Sequence, residues 1–339
     1  MRLYLINPCN SLVSIVQVKE SRWNRYRVWK PLSLLVLAGL TPPEWEIRIV
    51  DENLGAPDYP SMARPDLVGI TAFSSQANRA YEVAAHFRRV GVPVVMGGIH
   101  ATMCLDEVMA HVYSVVTGEA EGIWTQVLED ARRGGLKRRY DGGLAEINDV
   151  PLARHDLLTT GYAFGAVQTT RGCPLSCNFC SVTAFNGAQY RQRPIPHVVQ
   201  EFQSIRENRV LVVDDNLIGT RHDHIDRAKD LFRAMAQAKL RKKWIAQATI
   251  NFADWKYYTL TFPVARYKHL SREGIFDEMI ACDQSFYSLP RILRRVWGSL
   301  WQRRKPLISL VSNLSYRSNI RVERDAYATF KRQRGTEYD

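Results

Sequence analysis

Thr169-Thr-Arg-Gly-Cys-Pro-Leu-Ser-Cys-Asn-Phe-Cys180 is the stretch on which the reading of this chain turns. It sets Cys173, Cys177 and Cys180 within eight residues, with three and then two residues between successive thiols. Three thiolates this close can wrap one face of a metal centre and are too few to close it. Iron–sulfur clusters are held by cysteine thiolates, so a cubane on three cysteines keeps one iron open. An open position separates a catalytic metal site from a structural one. Structural zinc would want a fourth ligand nearby, and the next Cys or His is His197. Disulfide pairing would leave one thiol over. Ala166–Thr170 ahead of the cysteines reads as a strand, and barrels of alternating strands and helices do their chemistry at the carboxyl ends of strands.

With Arg171-Gly172 ahead of the first cysteine and Phe179 before the last, the motif resembles the radical S-adenosylmethionine (SAM) enzymes. The resemblance implies a [4Fe–4S] cluster on Cys173, Cys177 and Cys180, with SAM chelating the fourth iron and Phe179 beside it. One electron, from a donor such as ferredoxin or flavodoxin, would cleave SAM to methionine and a 5′-deoxyadenosyl radical.

The chain of 339 residues has room for two domains and a sizeable core, and its 46% hydrophobic and 24% charged content is that of a globular protein. Cys9, Cys104 and Cys282 are scattered and read as core thiols, a usage that suits a reducing cytoplasm. No secretory peptide is read at the start. Pro31–Leu40 falls far short of the roughly 20 residues that span a bilayer and reads as a buried helix. The net charge of +12 is uneven, with twelve Lys and Arg against four Asp and Glu from Arg291 to Asp339. A basic tail of this kind can meet nucleic acid, anionic lipid or an acidic redox partner, or be a solvated helical surface. A nucleic-acid role would need the cysteines to be incidental.

Upstream of the cysteines, strands alternate with helices. Arg2–Asn7, Trp45–Asp51, Leu67–Thr71, Pro93–Met96 and Tyr113–Thr117 read as strands, and Asn78–Val90 and Ile123–Arg132 as helices. That order predicts an α/β, doubly wound parallel sheet of Rossmann type, with any ligand at the carboxyl ends of its strands. The loops there are Asn7-Pro-Cys-Asn, Thr71-Ala-Phe-Ser-Ser-Gln, Gly97-Gly-Ile-His-Ala-Thr and Gly118-Glu-Ala-Glu-Gly. None is a Gly-x-Gly-x-x-Gly fingerprint, so a nicotinamide site has no support.

Set beside the cysteine motif, this order resembles the cobalamin-binding domain that precedes the radical SAM domain in one large subfamily. The matching pieces are Leu40-Thr-Pro-Pro-Glu-Trp, Gly97-Gly98…His100-Ala-Thr102 and Gly118–Gly122, and the resemblance runs from about Met1 to Ala253. It implies Ser74, Ser75, Gly97, Gly98, His100, Gly118 and Glu119 as cobalamin contacts. No Asp-x-His-x-x-Gly motif occurs, so no protein His is expected on cobalt, and His100 reads as a loop hydrogen-bonder.

Arg132–Gly143 reads as basic linker. Tyr190-Arg-Gln-Arg-Pro reads as a loop whose two arginines are as readily solvated as functional, leading to a helix near His197–Glu207. Val210–Val213 is a strand ending in Asp214-Asp-Asn216. The resemblance implies Asp214, Asp215 and Asn216 as contacts of SAM's amino group or ribose, although such residues also cap helices. Gln247, on a strand over Trp244–Ile250, is a further SAM candidate. A helix is expected from Asp226 to Lys239, with His222, Asp223 and His224 in a solvated loop.

After Asp254 the family would continue with more strand–helix units, and here Lys256–Phe262 reads as the last strand, followed by a helix ending near Gly274. Four units are legible where the family has six, so the expected barrel is partial and shortened. Beyond Ser285 the chain reads as basic helices. Trp297 and Trp301 are expected as core contacts, and Lys331–Asp339 as disordered. The expected divisions are 1–143, the cobalamin-type domain; 144–283, the shortened barrel; and 284–339, a basic helical extension. The expected function is cobalamin-dependent methyl transfer to an unactivated carbon of a small, apolar or lipid-like substrate, with peripheral membrane contact by the tail. The alternatives are a cyclase or rearrangement enzyme of the same family, or a non-catalytic cluster- or cobalamin-binding remnant.

Overall fold

The computed structural model describes residues 1–9, 29–175, 177, 180–248, 271–301 and 306–334. Two compact units divide the chain, residues 1–249 and 250–339.

The first unit opens with β1 (Arg2–Asn7), α1 (Leu32–Leu40), β2 (Glu46–Asp51), β3 (Leu67–Thr71), α2 (Ala77–Arg89), β4 (Val94–Gly97), α3 (Ile99–Met103), α4 (Leu105–His111), β5 (Ser114–Thr117), α5 (Trp124–Arg132) and β6 (Arg139–Asp141). Its six strands are all parallel in the order β2-β1-β3-β4-β5-β6. Alternation along β1 decides what each face carries. Leu3 and Leu5 point to one side with Leu34 and Ala38 of α1 and Val127 and Leu128 of α5. Tyr4 and Ile6 point to the other, with Ala80, Val83 and Phe87 of α2 and Val108 of α4. Burying each such aliphatic or aromatic side chain contributes about 1.5–3 kcal/mol, which explains why these strands read as near-continuous apolar runs. The strand order reverses between β1 and β3, and a sheet of this topology places its crevice there.

The chain continues with β7 (Gly165–Val167), β8 (Thr170–Arg171), α6 (Val182–Asn186), β9 (Arg191–Gln192), α7 (Ile195–Ser204), β10 (Arg209–Val212), α8 (His222–Gln237) and β11 (Lys243–Ile245). The parallel order β11-β10-β7 makes a small sheet, while β8 and β9 form an antiparallel pair. Val167, Val210 and Val212 pack with Val198 and Phe202 of α7 and Leu231 and Met235 of α8.

The second unit holds α9 (Arg272–Phe286), α10 (Leu289–Trp301) and α11 (Pro306–Arg334). Phe276 and Ile280 pack on Ile320. The Arg295 guanidinium donates to Asn313 Oδ1 at 2.7 and 2.9 Å and lies 4.2 Å over the Phe286 ring. Among the described residues no helix is long and apolar enough to cross a membrane.

Several expectations need correction. The stretch read as linker contains β6, which pairs with β5 through its buried Tyr140. The strand read over Ala166–Thr170 is two strands, because Thr169 breaks away to hydrogen-bond Asp214. His222–His224 are the first turn of α8, where burial of His224 against Tyr190, with ring centroids 4.2 Å apart, outweighs the polar look of the segment. Gly274 does not end a helix. It opens one, its N–H donating at 3.0 Å to the Oγ of Ser271, the N-cap of α9. Helix α11 runs to Arg334, into the stretch expected to be disordered. Trp297 is 70% exposed rather than a core contact. The strand expected over Lys256–Phe262 lies outside the described residues.

Candidate functional site

The cysteine loop leaves β8 at Arg171 and is held from behind. Gly172 has φ +85°, and a Cβ there would stand 2.3 Å from the Gln189 carbonyl oxygen, so only glycine fits. Its N–H donates to Asp215 Oδ2 at 3.2 Å, and the same oxygen accepts from Asn186 Nδ2 at 2.8 Å. The Cys173 N–H donates to Gly187 O at 3.3 Å and the Cys180 N–H to Cys177 O at 3.0 Å. None of the three thiols is in a disulfide; Cys173 is half-buried, and Cys177 and Cys180 are exposed. Three unpaired thiols on one short loop, with no His or carboxylate converging on them among the described residues, are a donor set that fits an iron–sulfur cluster better than a single hard ion. Phe179 lies outside the described residues.

The end of β10 turns two of its polar groups inward. Asp214 accepts from the Thr169 N–H at 2.6 Å and its hydroxyl at 2.5 Å, and burial pushes its carboxyl up against the lowering effect of those bonds. Asn216 accepts from the Gly219 N–H at 3.2 Å and is 1% exposed. Asp215 lines a cavity. The Gln247 side chain is exposed, while its carbonyl accepts the Leu217 N–H at 2.9 Å.

Glu119, in the loop after β5, ties the large sheet to the cysteine loop. It is 5% exposed and accepts from Arg171 Nη1 at 2.7 Å, Arg191 Nη1 at 2.8 Å and the Ala145 N–H at 3.0 Å, with Arg191 Nη2 closing a bidentate pair. Arg171 also meets Glu121 at 2.8 Å. Burial works to raise the Glu119 carboxyl, and the Arg191 and Arg171 guanidiniums overcome it, holding the group below the usual carboxylate range. Arg193 pairs with buried Glu201 at 2.7 Å. The arginines read as equally well solvated are therefore buried partners. Their spacing of two in an extended segment, which puts both on one face, was the signal available for them.

At the carboxyl ends of β1, β3, β4 and β5 lie two adjoining cavities that share Thr71, Gly98, Phe185 and Asn186. One, of about 260 Å³, is lined by Gly69, Gly97, Gly118 and Trp124 among others. The other, of about 720 Å³, takes in Trp29, Phe73, Ser75 and Asp215. Gly98 has φ +93°, and a Cβ there would come within 2.6 Å of Thr71 Oγ1, so the bare backbone shapes the cradle. His100 is buried behind it. Its Nε2 bonds the Tyr81 hydroxyl at 2.8 Å and its Nδ1 the Ser74 Oγ at 3.2 Å. The glycine-lined, largely apolar space would admit part of a large organic cofactor, and His100 is turned to Tyr81 and Ser74.

No protein-family model matches the chain. It is 37% identical over 192 residues to the bacteriochlorophyllide d C-8(2)-methyltransferase of Chlorobaculum tepidum, a match covering 51% of this chain and 41% of that one. It is 26% identical over 234 residues to the hopanoid C-2 methylase of Rhodopseudomonas palustris, covering 66% and 44%. The fold matches the cobalamin-dependent SAM radical enzyme OxsB, solved with aqua-cobalamin and SAM bound, at a TM-score of 0.56 and 14% identity over 72% of this chain and 38% of OxsB. The radical SAM methyltransferase TsrM of Kitasatospora setae, solved with cobalamin and a [4Fe–4S] cluster, matches at 0.52 and 20% identity, covering 70% and 51%.

The chain is similar in sequence to methyltransferases and in fold to cobalamin-dependent radical SAM enzymes.

The chain spans about half the length, or less, of curated relatives that it matches. Arg171, two residues before Cys173, is bonded to Glu119 in the loop after β5, so the start of the cysteine loop is tied to the carboxyl end of the large sheet.

Proposed function

We propose that the chain is a radical SAM enzyme that methylates an unactivated carbon of a small, apolar or lipid-like molecule, using a [4Fe–4S] cluster, SAM and cobalamin. The observation that carries this reading is the direct bonding of the cysteine loop to the walls of the two adjoining cavities, through Arg171–Glu119 at the glycine-lined one and Gly172–Asp215 at the larger one. A cluster held by Cys173, Cys177 and Cys180 would supply the electron for SAM cleavage, and cobalamin would supply the methyl group. The protein's own part is placement. Asp215 fixes the loop and stands in the cavity wall as a candidate for SAM's amino group or ribose, with Phe179, Asn216 and Gln247 as lesser candidates and Asp214 bracing Thr169. Gly97, Gly98, Gly118, Ser74 and Ser75 shape the cobalamin side, where His100 and Glu119 are turned to protein partners. Phe73, Phe185 and Trp29 give the larger cavity apolar walls against which an apolar substrate would rest. A one-electron donor of ferredoxin or flavodoxin type and a reducing cytoplasm would suit free thiols.

The test is anaerobic reconstitution with iron and sulfide, then dithionite and SAM, reading 5′-deoxyadenosine by chromatography, with Cys177→Ala as control. Product that depends on Cys177 supports the proposal. A cluster visible by absorbance that yields no 5′-deoxyadenosine favours a non-catalytic remnant, and absence of a cluster overturns the reading.

A further inference from the structure

Helix α10 turns a row of carbon outward. Leu289, Leu293, Trp297 and Leu300 recur at spacings of four, four and three, one face of a helix, and are 52, 62, 70 and 54% exposed. The opposite side holds Ile292, which is 1% exposed, and Arg295, which is engaged by Asn313. Helix α11 repeats the pattern with Leu307, Val311 and Leu314, 73, 61 and 42% exposed. Single exposed leucines need no explanation, but a stripe on each of two helices that pack together does.

The charge around them points to one kind of partner. Between Asp283 and Glu323 the sequence has eight Lys and Arg and no carboxylate. Arg291 and Arg294 are exposed on α10, and Arg294 is a surface neighbour of Trp297 three residues on. A protein groove would be expected to meet a carbon stripe with a rim of both signs. An apolar stripe with Trp and Leu, whose flanking charges along the sequence are all basic, suits the interface of an anionic bilayer, where the apolar side chains enter the acyl region and the guanidiniums meet phosphate. At 13 residues α10 is too short to span a bilayer and long enough to lie along one.

We propose that the α10–α11 hairpin is a docking surface for an anionic lipid bilayer. This does not depend on the reaction proposed above.

The experiment is co-sedimentation of the full chain with vesicles of phosphatidylcholine alone or with one third phosphatidylglycerol, at low and high salt. The expected result is at least tenfold more binding to the anionic vesicles. Leu293→Glu/Trp297→Glu should abolish it, and Arg291→Gln/Arg294→Gln should weaken it several-fold with greater effect at low salt. Both variants should keep wild-type helicity by circular dichroism and the wild-type iron content. Equal binding to neutral and anionic vesicles, or binding untouched by the double Glu variant, would overturn the proposal. So would a dimer by light scattering that the double Glu variant dissociates while vesicles do not bind, or retention by nucleic acid alone.

Discussion

Arg171 Nη1 donates to Glu119 Oε2 at 2.7 Å, so the residue two positions before the first cluster-type cysteine is gripped by a loop of the six-stranded sheet. Arg191 grips the same carboxylate from the next strand. The cysteine loop is therefore held by a loop of the six-stranded sheet and not by its own sheet alone.

Removing Glu119 should be costly out of proportion to its size. Glu119→Ala leaves the Arg191 guanidinium buried with carbonyl partners alone, while Arg171 keeps Glu121, and losing one partner of a buried pair costs about 3–5 kcal/mol. Thermal or urea unfolding of the first unit should show that loss, with Glu119→Gln intermediate because it can still accept from one arginine.

The same group gives a pH signature. Because the folded state holds the Glu119 carboxyl low, its contribution is present above the ordinary carboxylate value of about 4.3 and is lost as pH falls through the depressed folded value. The stability difference between wild type and Glu119→Gln should be largest near neutrality and shrink below about pH 4. A difference that stays constant down to pH 3 would show that the charge contributes nothing.

Gly172→Ala and Gly134→Ala make a matched comparison. Both glycines have positive φ, +85° and +72°, which costs a non-glycine residue about 1–3 kcal/mol. Only at Gly172 does the added methyl meet backbone oxygen, at 2.3 Å. Gly172→Ala should therefore lower iron bound per chain several-fold after reconstitution, while Gly134→Ala costs only stability.

Asp215→Ala should loosen the loop without deleting a thiol. It removes the acceptor of both Gly172 N–H and Asn186 Nδ2, bonds worth about 0.5–3 kcal/mol each when an ionised group is involved. Iron should leave to a chelator several times faster than from wild type, with Asp215→Asn between the two.

Much of this architecture is legible in the residues. Apolar runs such as Leu67–Thr71 and the helical spacing after Asn78 gave five strands of the sheet and their order of appearance, because burial on both faces forces that pattern. Strand β6 was not legible, since it is three residues with only Tyr140 buried. Nor was the start of α8, where the His224 ring packs at a tilt against Tyr190. At the site, the thiols announce themselves by spacing, whereas Glu119, Arg171 and Arg191 are ordinary charged residues until the fold brings positions 52 and 72 residues apart into contact.

One guanidinium, that of Arg191, touches the Glu119 carboxylate, the Ala145 carbonyl at 2.5 Å and the Asn186 carbonyl at 2.8 Å. A lysine has no planar fork to serve three directions at once. The two halves of the first unit are consequently not interchangeable modules. A chimera that grafts the sheet of a relative onto this cysteine loop would need its own counterpart of Glu119 and of the backbone around Ala145, or the seam would open where the two halves meet.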